Sequence, residues 1–203
     1  YRLGLLPLAL HEKPQKALLL GFGTGATLAA MASQAALHVT CIEPYSLLTQ
    51  APVTSFFSKV HQQRIFQKHV RVLNDDSLRF MMRRGPRFDV VVQGLSAPME
   101  SGFGAVYSLE YFQAARQRLS KSGLFVTWLP LYKLSPQEVA SIVQSFLKVY
   151  PTAEAWVGSW STHKPVLGLI GPKVAERLAS RPLERRLQRQ LQRLLPSSRS
   201  KKA

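Results

Sequence analysis

The sequence predicts an α/β fold: a mostly parallel sheet with helices on both faces and an antiparallel closing strand. Three observations carry this. Short apolar runs alternate with helix-period segments along the chain. The first run opens directly into a turn with three glycines, Gly21, Gly23 and Gly25. The last two runs follow one another with no helical pattern between them, as an antiparallel pair would.

Taken in order, Ala17 to Leu20 is a buried strand, and the glycine turn leads into an alanine-rich helix. Val39 to Ile42 is the second strand, ending on Glu43. Strand, glycine turn, helix, strand and acid together describe a nucleoside site, in which the glycines let a ligand approach the backbone and the carboxylate accepts ribose hydroxyls. Tyr45 to Phe57 reads as helix, with Pro52 kinking or interrupting it. Val70 to Leu73 is a strand that runs into Asn74, Asp75 and Asp76, and Leu78, Phe80 and Met81 ride on a short helix that ends before Gly85-Pro86. Phe88 to Val92 is a further buried strand. The segment from Gln93 to Val106, with three glycines and a proline, is a long loop at that strand's carboxyl end, where open α/β sheets bind ligands. Leu109 to Leu119 is a helix, Gly123 its stop region, and Leu124 to Leu129 a strand. Ser135-Pro136-Gln137-Glu138 starts a helix that runs to about Val149, with Ser135 as cap and Glu138 reaching back. Ala153 to Val157 and Val166 to Ile170 are the closing strand pair.

With 203 residues, 46% of them hydrophobic, the chain holds one full core and no second large domain. No apolar run approaches the roughly 20 residues that span a bilayer, and no basic, apolar leader precedes the first strand, so a cytoplasmic protein is expected. The single cysteine, Cys41, falls inside a buried strand and reads as core rather than nucleophile. The net charge is +16. Roughly half of it follows Gly171, where Leu183, Leu187, Leu191 and Leu194 share one helical face among arginines. Residues 1–171 are therefore read as the nucleotide-binding domain and 172–203 as a basic helical tail. The tail packs its leucines on the domain or on another chain, with nucleic acid or membrane as the less favoured partners.

An ordered series of segments resembles the spermidine synthases, and more closely the bacterial spermidine-synthase-like proteins: LPLALHEKPQKALLLGFGTGATLAA, CIEP, VRVLNDDSLRF, FDVVV and GFGAVYSLEYFQAARQRLSKSGLFVTWLPLYKL. They span about Leu6 to Ile170. The resemblance implies a Rossmann-like fold of the S-adenosylmethionine-methyltransferase type. It would hold decarboxylated S-adenosylmethionine, S-adenosylmethionine or methylthioadenosine, with a polyamine as acceptor, no metal, and a homodimer as the assembly. By the family pattern Gly21, Gly23 and Gly25 line the cofactor, Glu43 takes the ribose hydroxyls, and Asp76 with Ser77 sits at the adenine. For Asp75 and Asp76 the plain alternative is a helix cap.

The chain departs from the family where the chemistry is done. The aspartate that holds and deprotonates the attacking amine aligns with Gly94, and a second acid aligns with Ala97. A primary amine has a pKa of about 10, like lysine. Only its free base attacks the carbon next to the sulfonium, so a positioned base is worth about a hundred- to ten-thousandfold. The catalytic residue is therefore unassigned. Glu100 and Tyr107 are weak candidates, and Trp128 and Tyr132 are either pocket wall or core. If loss of the base were the sole defect, Gly94→Asp would raise polyamine formation. The family's amino-terminal strand domain is also expected to be absent, leaving the acceptor side open, and a strongly cationic chain repels a polyamine.

Three other functions compete. A methyltransferase acting on another acceptor needs positioning but no base when the acceptor is already nucleophilic. A non-catalytic binding protein would work through its basic tail. An NAD-dependent dehydrogenase would use Gly21, Gly23 and Ala26 as a loose fingerprint, but no catalytic pair for hydride transfer accompanies them.

Overall fold

The structure, a computed structural model, describes residues 2–95, 104–159 and 164–174. Strand β1 (Lys16–Leu20) lies between β2 (His38–Glu43) and β4 (Phe88–Gln93), parallel to both, and β3 (Val70–Asn74) pairs parallel with the outer side of β2. On the other flank β5 (Leu119–Pro130) runs parallel to β4, then β7 (Pro165–Pro172) and β6 (Glu154–Ser159) close the sheet antiparallel, giving the order β3-β2-β1-β4-β5-β7-β6. The chain turns outward in both directions from β1, so a crevice opens at the carboxyl ends of β1 and β4.

Central strands read KALLL and FDVVVQ because both faces are covered. On one face Leu18, Leu20, Val91 and Phe125 pack under α6 (Ser77–Met82), α7 (Leu109–Gln117) and α8 (Pro136–Val149). On the other, Ala17, Leu19, Val90, Val92 and Trp128 pack under α1 (Arg2–Leu10) and α2 (Ala26–Ala32). Cys41 lies in this second core, fully buried. Burial first, and then the Glu43 charge, push its thiol above the ordinary cysteine range, which keeps it protonated.

The sequence reading misses α1. Pro7 lies inside it, a residue that argues against helix in sequence, and six of its nine residues are buried, so it shows no amphipathic period. The helix expected over Tyr45 to Phe57 is instead three short ones, α3 (Ser46–Thr49), α4 (Ala51–Phe56) and α5 (Ser58–His61). Gln50 is extended, with ψ 160°, and Pro52 sits in the first turn of α4, where a missing N–H costs nothing. Gly123 does not stop a helix: α7 ends at Gln117, and Gly123 lies inside β5. There the register against β4 slips between Phe88 and Val90. A Cβ at Gly123 would stand 2.9 Å from Leu119 Cβ and 3.0 Å from the Phe88 carbonyl oxygen, so the irregularity itself demands glycine. The capping box at Ser135 and Glu138 forms as expected. Beyond Val174 the anticipated tail lies outside the described residues. Among the described residues no helix is long and apolar enough to cross a membrane.

Candidate functional site

A cavity of about 640 Å³ opens where β1, β2 and β4 end. Gly21 and Gly23 line it, whereas Gly25 packs against Phe22 and His61 and does not. Gly21, Gly23 and Gly25 adopt φ of 95°, 54° and 78°, a region that side chains disfavour, and a Cβ on Gly21 or Gly23 would meet nothing within 4 Å. These two glycines therefore serve the turn and leave open space above the backbone. Gly21 N donates to Ile42 O at 2.9 Å and Gly94 N to Leu20 O at 2.8 Å, tying the three strand ends together.

Glu43 stands beside this turn, 3% exposed. Its Oε2 accepts from Phe22 N at 2.7 Å and its Oε1 from Tyr45 N at 2.9 Å. A carboxylate offers about four acceptor positions, so one direction on each oxygen remains for a ligand. Two neighbouring hydroxyls are the partner that such a pair fits. Glu43 is the only acidic residue among the described ones that line the cavity.

Ser77 lines the cavity, whereas Asp76 caps α6, its Oδ1 accepting from Arg79 N at 2.7 Å. Asp75 accepts from Asp76 N at 2.9 Å and pairs with Arg79 at 3.1 Å and Arg83 at 2.8 Å. Tyr107 is buried in the core next to the site without lining the cavity. Trp128 is also core, 1% exposed, with its indole N–H donating to Leu3 O at 3.1 Å. Tyr132 is 40% exposed in the turn after β5 and does not line the cavity. Ala97 and Glu100 lie outside the described residues.

Gly94 lines the cavity. Yet a Cβ there would stand 2.9 Å from the carbonyl oxygen of Leu20, a backbone atom of β1. A side chain at 94 would force the strand ends apart. The expectation that Gly94→Asp is a simple restoration therefore changes.

Two cavity residues escaped the sequence reading. Gln93 ends the apolar run of β4, 3% exposed, and neither its Oε1 nor its Nε2 has a partner among the described residues. Tyr111 on α7 is 1% exposed and its hydroxyl is likewise unpartnered. Burial first, then Tyr107 and Asp76, hold its phenol above the ordinary tyrosine range, so it stays neutral and able to donate. Thr127, which pairs in register with Gln93, adds a third buried and unpartnered oxygen on the same face of the sheet. Buried polar groups are nearly always bonded, so the orphaned Gln93 and Tyr111 on the cavity wall are groups left for a polar ligand or water, whereas Thr127 does not line the cavity. The one sequence signal was a glutamine closing the apolar run from Val90 to Val92.

This topology, with its crevice at the carboxyl ends of β1 and β4, is an α/β fold of the methyltransferase type. Residues 2–158 match the family model "Spermine/spermidine synthase domain", and the chain belongs to that family. The polyamine aminopropyltransferase 2 of Hyperthermus butylicus is 26% identical over 162 residues, which cover 79% of this chain and 53% of that protein. The enzyme of the same name from Aquifex aeolicus is 23% identical over 124 residues, covering 60% of this chain and 25% of its own length. The chain thus spans about half the length or less of these relatives. Among solved structures, a spermidine synthase in complex with the transition-state analogue AdoDATO superposes with a TM-score of 0.70 at 18% identity, over 87% of this chain and 61% of the other. Human methyltransferase-like protein 13 in complex with SAH superposes with 0.67 at 17% identity, over 93% and 90%. Both likenesses show the same fold.

Proposed function

We propose that the cavity binds an adenosyl-sulfur compound: decarboxylated S-adenosylmethionine, S-adenosylmethionine or methylthioadenosine. The observation that carries this is Glu43, buried beside an open glycine turn with two acceptor directions still free for a ribose diol. The adenosyl compounds in the two structural neighbours support the same choice.

Aminopropyl transfer would form a carbon–nitrogen bond as the carbon–sulfur bond breaks. The thioether leaves, and one proton must pass from the acceptor nitrogen to a base. Gly94 offers none, and among the described residues lining the cavity Glu43 is the sole carboxylate and is committed to the diol. The second reading is methyl transfer from S-adenosylmethionine to a neutral acceptor, favoured by Gln93 and Tyr111, which present amide and phenol rather than charge.

Calorimetry with the three adenosyl compounds tests the binding. Saturable heat with at least one is expected, and no heat with any of them at high micromolar concentration overturns the reading. Incubation with decarboxylated S-adenosylmethionine plus putrescine, against S-adenosylmethionine plus protein and RNA fractions, then separates the two chemistries by the group transferred.

A further inference from the structure

The far end of the sheet from the adenosyl crevice carries a second cavity, of about 610 Å³. It lies where β4 and β5 begin and β7 ends. Six cationic side chains line it, Arg83, Arg84, Arg87, Arg116, Arg118 and Lys173, and among the described residues no acid does.

The cluster is built into the fold. Arg118 is 4% exposed, its Nε donating to Pro86 O at 2.9 Å and its Nη1 to Phe80 O at 2.8 Å and Arg83 O at 3.0 Å. These bonds hold the guanidinium over the Phe80 ring at 4.7 Å, while Arg83 stands over the same ring at 4.8 Å. Lys173 Nζ donates to Leu119 O at 2.6 Å and Arg116 Nη1 to Val149 O at 2.7 Å. Asp75 offsets Arg83 from outside the cavity. Arg118 Nη2 remains, buried and without a partner among the described residues. Residue 85 packs against it and has to be glycine: a Cβ there would sit 3.0 Å from Nη2.

We propose that this basic cavity, built around the buried Arg118, is a binding site for a compact polyanion bearing several phosphate groups, whose oxygens take the N–H donors of the cations that line it. A guanidinium held this way presents directed donors to phosphate oxygens. The cations already oppose one another. Burial, then Arg83, lowers the Arg118 pKa, and burial, then Arg87 and Arg116, lowers that of Lys173. A bound polyanion relieves that repulsion. Enclosure within one concavity favours a compact ligand over an extended nucleic-acid backbone.

The test is titration of the full chain with sodium tripolyphosphate at about 0.15 M ionic strength, with thermal melting in parallel. Saturable binding and a raised melting temperature are expected. Arg84→Glu/Arg87→Glu should weaken binding by about tenfold or more, and Gly85→Leu should weaken it by displacing the Arg118 guanidinium that packs on residue 85. Methylthioadenosine titration reports on the other site and should be unaffected by either change, so failure of one site is distinguishable from failure of the other. Melting curves verify that each variant is folded, and Arg87→Gln replaces the charge reversal if that variant is not. Absence of tripolyphosphate binding overturns the proposal. Equal binding by the wild type and the folded variants also overturns it, by placing the anion elsewhere, such as among the basic residues after Val174. RNA binding without tripolyphosphate binding overturns it in favour of an extended partner.

Discussion

Glu43 and Gly94 decide what the proposed adenosyl site can do. Glu43→Gln keeps one acceptor oxygen but turns an N–H₂ toward a backbone N–H that now meets a carboxylate. A buried donor left facing a donor costs about 1–3 kcal/mol, so adenosyl affinity should fall by roughly tenfold or more, with a lower melting temperature. Unchanged calorimetry for this variant would remove Glu43 from the site. Gly94→Asp should be destabilised by about 1–3 kcal/mol, because its Cβ overlaps the Leu20 carbonyl oxygen and the strand ends must shift. Polyamine formation should not rise. A variant as stable as the parent and newly active would show that the missing base alone had silenced the chemistry. Gln93→Leu removes two unpartnered polar atoms from a buried wall and should raise the melting temperature of the unliganded chain, as exchanges of stability for a site do. A fall would mean that Gln93 is bonded within the fold.

At the level of elements, the local code was clearest where one segment carries its own instructions. The Ser135–Glu138 capping box and the glycine turn before α2 could be read from a few residues, because each fixes its backbone locally. Features set by distant packing were not legible: α1 buries nearly all of its surface, and Gly123 is explained only by the Phe88 carbonyl across the sheet. The same limit hid the site's wall, since nothing beside Gln93 in sequence announces Tyr111. Asp89 is a further case. Its Oδ2 accepts from Gln15 N at 2.9 Å and Lys16 N at 3.0 Å, and its Oδ1 from Ser120 Oγ at 2.7 Å, so one carboxylate joins the starts of β1, β4 and β5. Burial opposes its ionisation, but the bonds from Ser120, Lys16 and Gln15 prevail and hold its pKa below the ordinary 3.8. With the folded value depressed, the stabilisation is complete above the unfolded pKa and is lost as pH falls through the folded one. Asp89→Asn should therefore unfold at lower temperature near neutrality and show a shallower loss of stability below about pH 4. Parallel acid titrations of the two proteins would refute this.

For the whole molecule, the question is where the folding unit ends. Charge and composition divide the chain near Gly171, yet the sheet runs further. Pro172 still pairs with Leu124, Lys173 N donates to Gly123 O at 2.9 Å, and Lys173 Nζ reaches Leu119 O. Those contacts hold the bulged start of β5, which in turn positions Arg118 and the basic cavity. Truncation after Gly171 should therefore lower the melting temperature, because it removes the last pair of the β5–β7 ladder and leaves the Gly123 and Leu119 carbonyls without these donors. Truncation after Val174 keeps every one of these bonds. It should melt within a degree or two of the full chain while shedding roughly half of the excess positive charge. Because like charges repel across the molecule, the full chain should also gain more stability from added salt than the Val174 truncation. Equal melting of the two truncations would place the end of the folding unit at Gly171, and equal salt response of the long and short chains would show that the charges after Val174 do not act on the fold.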